Sequence, residues 1–269
     1  MLKTIFTNII KNITPYSFFI TQGFIFAMLF IFIYTRNNKV ERDNIIYTYV
    51  FTSMIGLVGS KVLYILTIIN DVVSDYKTYG IKIIINKYIN GGFVFYGGLI
   101  FGYLAAIFFI KSYKANKQIC VPALIIAFLI NFGFGRLGCL SVGCCHGVET
   151  TSSLSIVYHD SMFAPNGVHL VPVQLYETIF DFILAFVIYR MSKTIHNPIS
   201  FVMVHLFSYC TFRFIIEFFR GDVIRGIWWG FSTSQWVSIF IVITVCIVYA
   251  YQKKNINYYS VLGLISGYL

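Results

Sequence analysis

The sequence predicts an all-α polytopic membrane protein: about seven transmembrane helices with an extracytoplasmic loop region, forming a single integral membrane domain over residues 1–269. Three observations predict it. Of the 269 residues, 58% are hydrophobic and only 11% are charged, which leaves too little polar surface for a soluble domain. Apolar runs of about 20 residues, the length that crosses a hydrocarbon layer as a helix, recur along the whole chain. Lysines and arginines gather in short segments between those runs, as orientation in a membrane requires. The net charge of +10 therefore reads as topology, and nucleic acid is excluded as a partner.

In chain order the predicted spans are 15–34, 45–69, 91–110, 119–138, 172–190, 198–219 and 233–251. No internal repeat is visible. The first span has no small-residue cleavage site behind a short apolar core, so no cleavable signal peptide is expected. The tail 255–269 is apolar but too short to span, and is expected at the interface. An outside N-terminus places Arg36, Lys39, Arg42, Lys111, Lys114, Lys117, Arg190, Lys193, Lys253 and Lys254 inside. The outside segments then hold Lys3, Lys11, Lys77, Lys82, Lys87, Arg220 and Arg225. Ten against seven favours N-terminus outside and C-terminus inside. The two longest connections, 70–90 and 139–171, both fall outside, where a substrate mouth is usually built.

The sixth span carries charge at bilayer depth. In His205-Leu-Phe-Ser-Tyr209-Cys-Thr-Phe-Arg213-Phe-Ile-Ile-Glu217-Phe-Phe-Arg220, positions 213, 217 and 220 recur at i, i+4 and i+7. That spacing places them on one helical face. Intramembrane charges are costly and normally face the bundle interior, where they carry function. Arg136, flanked by Gly135 and Gly138, is a further inward arginine. Guanidinium forks suit phosphate bidentately, so the pattern points to an anionic lipid headgroup.

Four further segments bear on the chemistry. Gly91-Gly-Phe-Val-Phe-Tyr96-Gly97-Gly98 opens the third span; its glycines allow close helix packing or close approach to a ligand, and the Tyr96 hydroxyl is a candidate headgroup contact. Lys61, after Gly59 and Ser60, is an intramembrane cation, either in the site or paired structurally. Pro172-Val-Gln174-Leu-Tyr176-Glu177 opens the fifth span: proline suits a helix start, Gln174 and Glu177 share a face, and Glu177 requires a cation from another span. Finally, Cys139, Cys144, Cys145 and His146 cluster before Gly147. Zinc ligands usually come in spaced pairs, and only one cluster is present, so no metal is expected. A thiolate beside Arg136 and His146, or a disulfide on an oxidising face, stays open. Cys120, Cys210 and Cys246 lie scattered in apolar stretches, where inert thiols are usual.

These segments, in this order and spacing, resemble the prolipoprotein diacylglyceryl transferase family. The family's HGGLIG segment is matched by Tyr96-Gly97-Gly98-Leu99-Ile100-Phe101-Gly102, and its GRxGN…G signature by Gly135 through Gly147. Its PSQLYE is matched by Pro172-Val-Gln174-Leu175-Tyr176-Glu177. Its YxxxRxxxExxR is matched by Tyr209, Arg213, Glu217 and Arg220, and its GxR by Gly59-Ser60-Lys61. The likeness covers about residues 15 to 250.

The resemblance implies a seven-span fold of the bacterial cytoplasmic (inner) membrane. It implies an enzyme that moves diacylglyceryl from phosphatidylglycerol to the lipobox cysteine of a prolipoprotein, forms a thioether and releases glycerol phosphate, with no cofactor. Arg136 and Arg213 become the main catalytic, lipid-binding arginines. Glu177, Glu217, Arg220, Tyr209 and Gly147 become supporting residues, with Gly97, Gly98, Gln174 and Lys61 completing the substrate-binding set. This chain departs from the pattern at Tyr96 (histidine in the family), Cys139 (asparagine), Cys144 (acidic) and Lys61 (arginine). With that histidine gone, His146 is the imidazole left to take a thiol proton, and Tyr96 orients the headgroup. Two alternatives stand beside this expectation: a related transferase with a non-lipoprotein acceptor, and a lipid-binding membrane protein without chemistry.

Overall fold

The computed structural model describes residues 14–81, 87–88, 92, 94–222 and 227–266, with residues 95, 227 and 253–266 described as backbone alone. Lys3, Lys11, Lys82, Gly91 and Arg225 of the sequence reading lie outside the described residues, as does the end of the tail, 267–269. Eight α-helices are described: α1 (Pro15–Tyr34), α2 (Lys39–Thr67), α3 (Ile69–Tyr79), α4 (Phe95–Ser112), α5 (Lys117–Val142), α6 (Val173–Met191), α7 (Pro198–Ile216) and α8 (Thr233–Ser266). Four two-residue strands form two small antiparallel pairs, β1 (Ile156–Val157) with β2 (His169–Leu170) and β3 (Ile227–Trp228) with β4 (Phe231–Ser232).

The architecture is that of an all-α polytopic membrane protein. The helices α1, α2, α5 and α8, and α7 with the turn that extends it, are long and apolar enough to cross a membrane. The apolar helix α4 is slightly shorter. At 19 residues, α6 rises roughly 28 Å, close to the hydrocarbon thickness. Its composition is what sets it apart, because Gln174, Glu177 and Asp181 are all buried on it.

Three expectations change. The connection 70–90 is not merely a loop, since α3 occupies its first half. Ile69, Val72, Val73 and Tyr76 recur at helical spacing there, and Gly80 ends the helix in the left-handed region with φ 73°. The second helix starts at Lys39, ahead of the expected 45, because Asn38 caps it by accepting from the Glu41 amide at 3.1 Å. The tail does not separate from the last span: α8 continues through Ser266.

The chain forms two compact units. In Ile31–Leu124, the buried face of α2 is Ile45, Thr48, Tyr49, Thr52 and Gly59, a helical stripe of mostly small or β-branched residues. It meets the glycines of α4. A Cβ on Gly59 would strike the Phe101 side chain and the Gly97 carbonyl at 2.8 Å, and one on Gly56 would lie 3.3 Å from the Gly98 carbonyl. Small residues thus bring the two backbones together.

In the other unit, Met1–Phe30 with Ile125–Leu269, α1 packs on α5 through a second close approach. A Cβ on Gly23 would come within 2.8 Å of the Phe134 Cβ. Helices α5 and α6 are joined by the Thr178 hydroxyl, which donates to the Gly133 carbonyl at 3.2 Å. Phe180 of α6 stacks on Phe212 of α7 with centroids 4.0 Å apart. Gln235 of α8 donates to the Phe214 carbonyl at 3.4 Å.

Candidate active site

Glu177 is the centre of the charged site. It lies one turn into α6 with its side chain 5% exposed, and three guanidiniums surround it. Arg213 Nη1 donates to Oε1 at 2.7 Å, Arg136 Nε approaches Oε2 at 3.2 Å, and Arg220 Nη1 stands 3.8 Å from Oε1. Helices α5, α6 and α7 each contribute to this contact. The arginines have further anchors. Arg213 Nη2 pairs with Glu217 at 2.8 Å one turn along α7, and Arg220 grips Asp222 through Nε at 3.0 Å and Nη2 at 2.9 Å. The set holds three cations against three carboxylates, so burial leaves no large net charge to desolvate.

Arg220 reaches the site differently from its sequence spacing. The expected helical face of 213, 217 and 220 breaks after Glu217, because the chain tightens into a 3-10 turn over Glu217–Phe219. Arg220 then takes an extended conformation, φ −85° and ψ 136°. It pairs with Gly147 as an isolated antiparallel bridge. The Val148 amide donates to Phe219 at 2.9 Å and the Gly221 amide to His146 at 3.0 Å. Gly147 is required there, because a Cβ would collide with the Val171 carbonyl and sit 2.9 Å from the Phe219 carbonyl. Burial alone would lower the Arg220 pKa, but the bond to Asp222 and the nearby Cys145 and Glu177 outweigh it and hold the group charged.

Hydrogen-bonding capacity remains in the cluster. Arg136 touches Glu177 through Nε, which leaves its two Nη groups without a hydrogen bond among the described residues. Buried Arg220 Nη1 and Gln174 Oε1 likewise have no hydrogen-bond partner. Gln174 fixes its other end by donating from Nε2 to the Cys144 carbonyl at 2.8 Å. Tyr209 lies within electrostatic reach of Arg136 and Arg213. Two carboxylates, one paired within this set and one beside it, were not among the residues expected from the sequence. Asp181, 3% exposed, follows Glu177 by one turn and faces Arg136 and Glu177 electrostatically. The rule that flagged Glu177 applies equally to it. Asp222 sits two residues from its arginine, a local spacing with little signal.

The cysteines also gather. The Sγ atoms of Cys139, Cys144 and Cys145 all lie within 4.8 Å of one another, and all three are free thiols. The neighbouring Cys139 and Cys144 thiols, then Arg220 and Arg136, pull the Cys145 thiol down against the effect of burial. The same contacts with Cys139 and Cys145 push Cys144 up. Beside them, burial first and then Cys144 push the Tyr158 hydroxyl up to about 12, and it donates to the Leu140 carbonyl at 2.9 Å. His146 points Nδ1 at the Gly147 carbonyl at 3.0 Å. That carbonyl accepts only from a protonated Nδ1, so the neutral ring keeps its lone pair on Nε2.

The remaining expected site residues belong to the other unit. Lys61 donates to the Tyr88 carbonyl at 3.1 Å and the Gly92 carbonyl at 2.8 Å, tying these two residues to α2. Gly97 and Gly98 lie in the packed seam with α2. Tyr96 is half-buried at the start of α4.

A bundle of membrane-crossing helices with an arginine–carboxylate cluster in its interior defines the class: an integral membrane protein with a buried polar site. The family is narrower. A family model described as prolipoprotein diacylglyceryl transferase matches residues 4–251, and the chain belongs to that family of transferases. A Clostridium perfringens (strain 13 / Type A) protein named phosphatidylglycerol–prolipoprotein diacylglyceryl transferase 2 is 34% identical over 246 residues, 90% of this chain and 92% of its own. A Clostridium tetani (strain Massachusetts / E88) protein named phosphatidylglycerol–prolipoprotein diacylglyceryl transferase is 30% identical over 232 residues, 86% and 90% of the two chains. One of the same name from Campylobacter jejuni (strain RM1221) is 33% identical over 184 residues, 65% of each chain.

Proposed function

We propose that this enzyme transfers the diacylglyceryl group of phosphatidylglycerol to the lipobox cysteine of a prolipoprotein, at the outer face of a bacterial cytoplasmic membrane. The observation that carries the reading is the convergence of Arg136, Arg213 and Arg220 on Glu177. A phosphodiester entering from the bilayer would take the Nη groups of Arg136 and the buried Nη1 of Arg220, which has no hydrogen-bond partner of its own. Glu177, Glu217 and Asp222 hold the guanidiniums in place before substrate arrives, so little reorganisation remains for the reaction itself.

In the reaction, the acceptor sulfur attacks the glycerol carbon that bears the phosphate. A carbon–sulfur bond forms, the carbon–oxygen bond breaks, and its electron pair leaves on glycerol phosphate. Negative charge grows on that phosphate, and arginines stabilise it more in the transition state than in the ground state. The thiol must lose its proton, since a free cysteine is mostly protonated at neutral pH. His146, with its lone pair on Nε2, is the group assigned to accept it. Tyr96 stands where the family pattern has histidine.

The test is transfer of labelled phosphatidylglycerol to a lipobox peptide in vesicles. Arg213→Ala is expected to lower turnover by about 100-fold or more, the cost of losing one preorganised charge-stabilising group, while Arg213→Lys retains part of it. Near wild-type turnover in Arg213→Ala overturns the proposal. Restoration of lipoprotein maturation in a cell lacking its own transferase identifies the acceptor as a prolipoprotein. Released glycerol phosphate without a modified lipoprotein points to another acceptor, a reading favoured by the departures at Tyr96, Cys139 and Cys144.

A further inference from the structure

We propose that Cys139, Cys144 and Cys145 form a three-thiolate binding site for one soft d10 metal ion, Zn2+ or Cu+, independently of the transfer reaction. The geometry is that of a ligand set. Three Sγ atoms mutually within 4.8 Å surround a point that a single ion can occupy: at metal–sulfur distances of about 2.3 Å, tetrahedral or trigonal ligands stand roughly 3.8–4.0 Å apart. A disulfide would instead need one pair at about 2.05 Å, and all three are free thiols. Thiolates are the donors that select Zn2+ and Cu+ over harder cations.

The backbone is built to bring these thiols together. Cys139 is on the last turn of α5, which ends at Val142. Gly143 then turns with φ 82° and Cys145 with φ 57°, a left-handed conformation that a non-glycine residue adopts only when its surroundings impose it. The effect is to fold residues 144 and 145 back towards 139. The turn is held from two sides, by Gln174 donating to the Cys144 carbonyl at 2.8 Å and by the Ser161 hydroxyl donating to the Val142 carbonyl at 2.8 Å. Cys139 is buried while Cys144 and Cys145 are partly open, so the set has an entry side. Arg136, one helical turn before Cys139, and Arg220 supply positive charge near it. Three thiolates with one Zn2+ would carry net negative charge, and these arginines offset it.

The same arrangement explains how one short segment can do what the sequence rule assigns to two spaced pairs of ligands. The helix end and the turn act as the two halves. His146 is not part of the set, because its ring faces the Gly147 carbonyl. Binding would release the thiol protons to solvent. It would also staple the turn that ends in Gly147, whose pairing with Arg220 positions that arginine.

The experiment uses the full-length chain in detergent, purified under reductant and titrated with Zn2+ and separately with Cd2+. The expected result is one ion per chain by elemental analysis, with a cadmium–thiolate charge-transfer absorption. Cys139→Ser, Cys144→Ser and Cys145→Ser should each weaken binding by roughly 10–100-fold or more, since even losses outside the ligand shell cost that much. Cys246→Ser should bind as the parent does. Cys144→His, which keeps a ligand, should retain the ion and separates lost coordination from lost folding. Equal binding by the triple serine variant, or no ion on the reduced wild type, overturns the proposal. Thiol counting that finds two of the three cysteines oxidised to a disulfide under the same reductant also overturns it, in favour of a redox pair.

Discussion

Glu177 is the residue on which the charged cluster depends. Three guanidiniums lean on one carboxylate that is 5% exposed, and among the described residues it is the carboxylate with which Arg136 forms an ion pair. Removing one partner of a buried ion pair leaves the other charge uncompensated, a loss of about 3–5 kcal/mol. Glu177→Ala is therefore expected to lower stability by that amount in detergent unfolding, while Arg136→Met should cost less, because two arginines still neutralise the carboxylate. Equal losses in the two variants would remove Glu177 from the centre of the cluster. The sequence showed Arg136, Glu177, Arg213 and Glu217 because charge inside an apolar run is conspicuous. Asp181 was as visible by that rule, yet it lacks a motif neighbour. Asp222 was hidden because a charge in a connection is the ordinary case, and only folding shows that it clamps Arg220.

At the scale of elements, the short ladder between residues 146–148 and 219–221 matters more than any helix. It turns Arg220 back into the site after α7 has ended. Gly147→Ala places a methyl against the Val171 carbonyl and 2.9 Å from the Phe219 carbonyl, and backbone cannot yield as a flexible side chain does. The expected outcome is a loss of about 1–3 kcal/mol, together with reduced lipid turnover as Arg220 moves. Gly167→Ala, where a Cβ meets nothing within 4 Å, has no such clash but has φ 77°, so it should cost stability through strain and leave turnover intact. If the two variants lose turnover equally, the ladder does not position Arg220. The long helices were legible from apolar run length, with their ends shifted by caps such as Asn38. The ladder was not legible, because pairing between residues more than 70 positions apart leaves no local pattern. The short helix α3 was passed over for its polarity, although its apolar residues keep helical spacing.

At the scale of the whole molecule, the outstanding quantity is orientation. The positive-inside bias is ten residues against seven, and Arg220 is among the seven. Yet Arg220 is held by Asp222 and stands 3.8 Å from Glu177, so it belongs to the site and not to the topology signal. The bias then becomes ten against six, which strengthens the case for segments 111–118 and 190–197 lying inside. The site makes the same demand from chemistry. The turn 143–147 and the bridge to Arg220 stand at one end of α5, α6 and α7, the end at which 139–171 connects α5 to α6. A lipobox acceptor presented after export could meet them only if that end faces outward. Reporter fusions read this directly: a phosphatase joined after Ser155 should be active, and one joined after Lys193 should be silent. A fluorescent cytoplasmic reporter should give the inverse pattern. If the phosphatase is active after Lys193 and silent after Ser155, the cluster faces the cytoplasm, and an acceptor that arrives from outside cannot be its substrate.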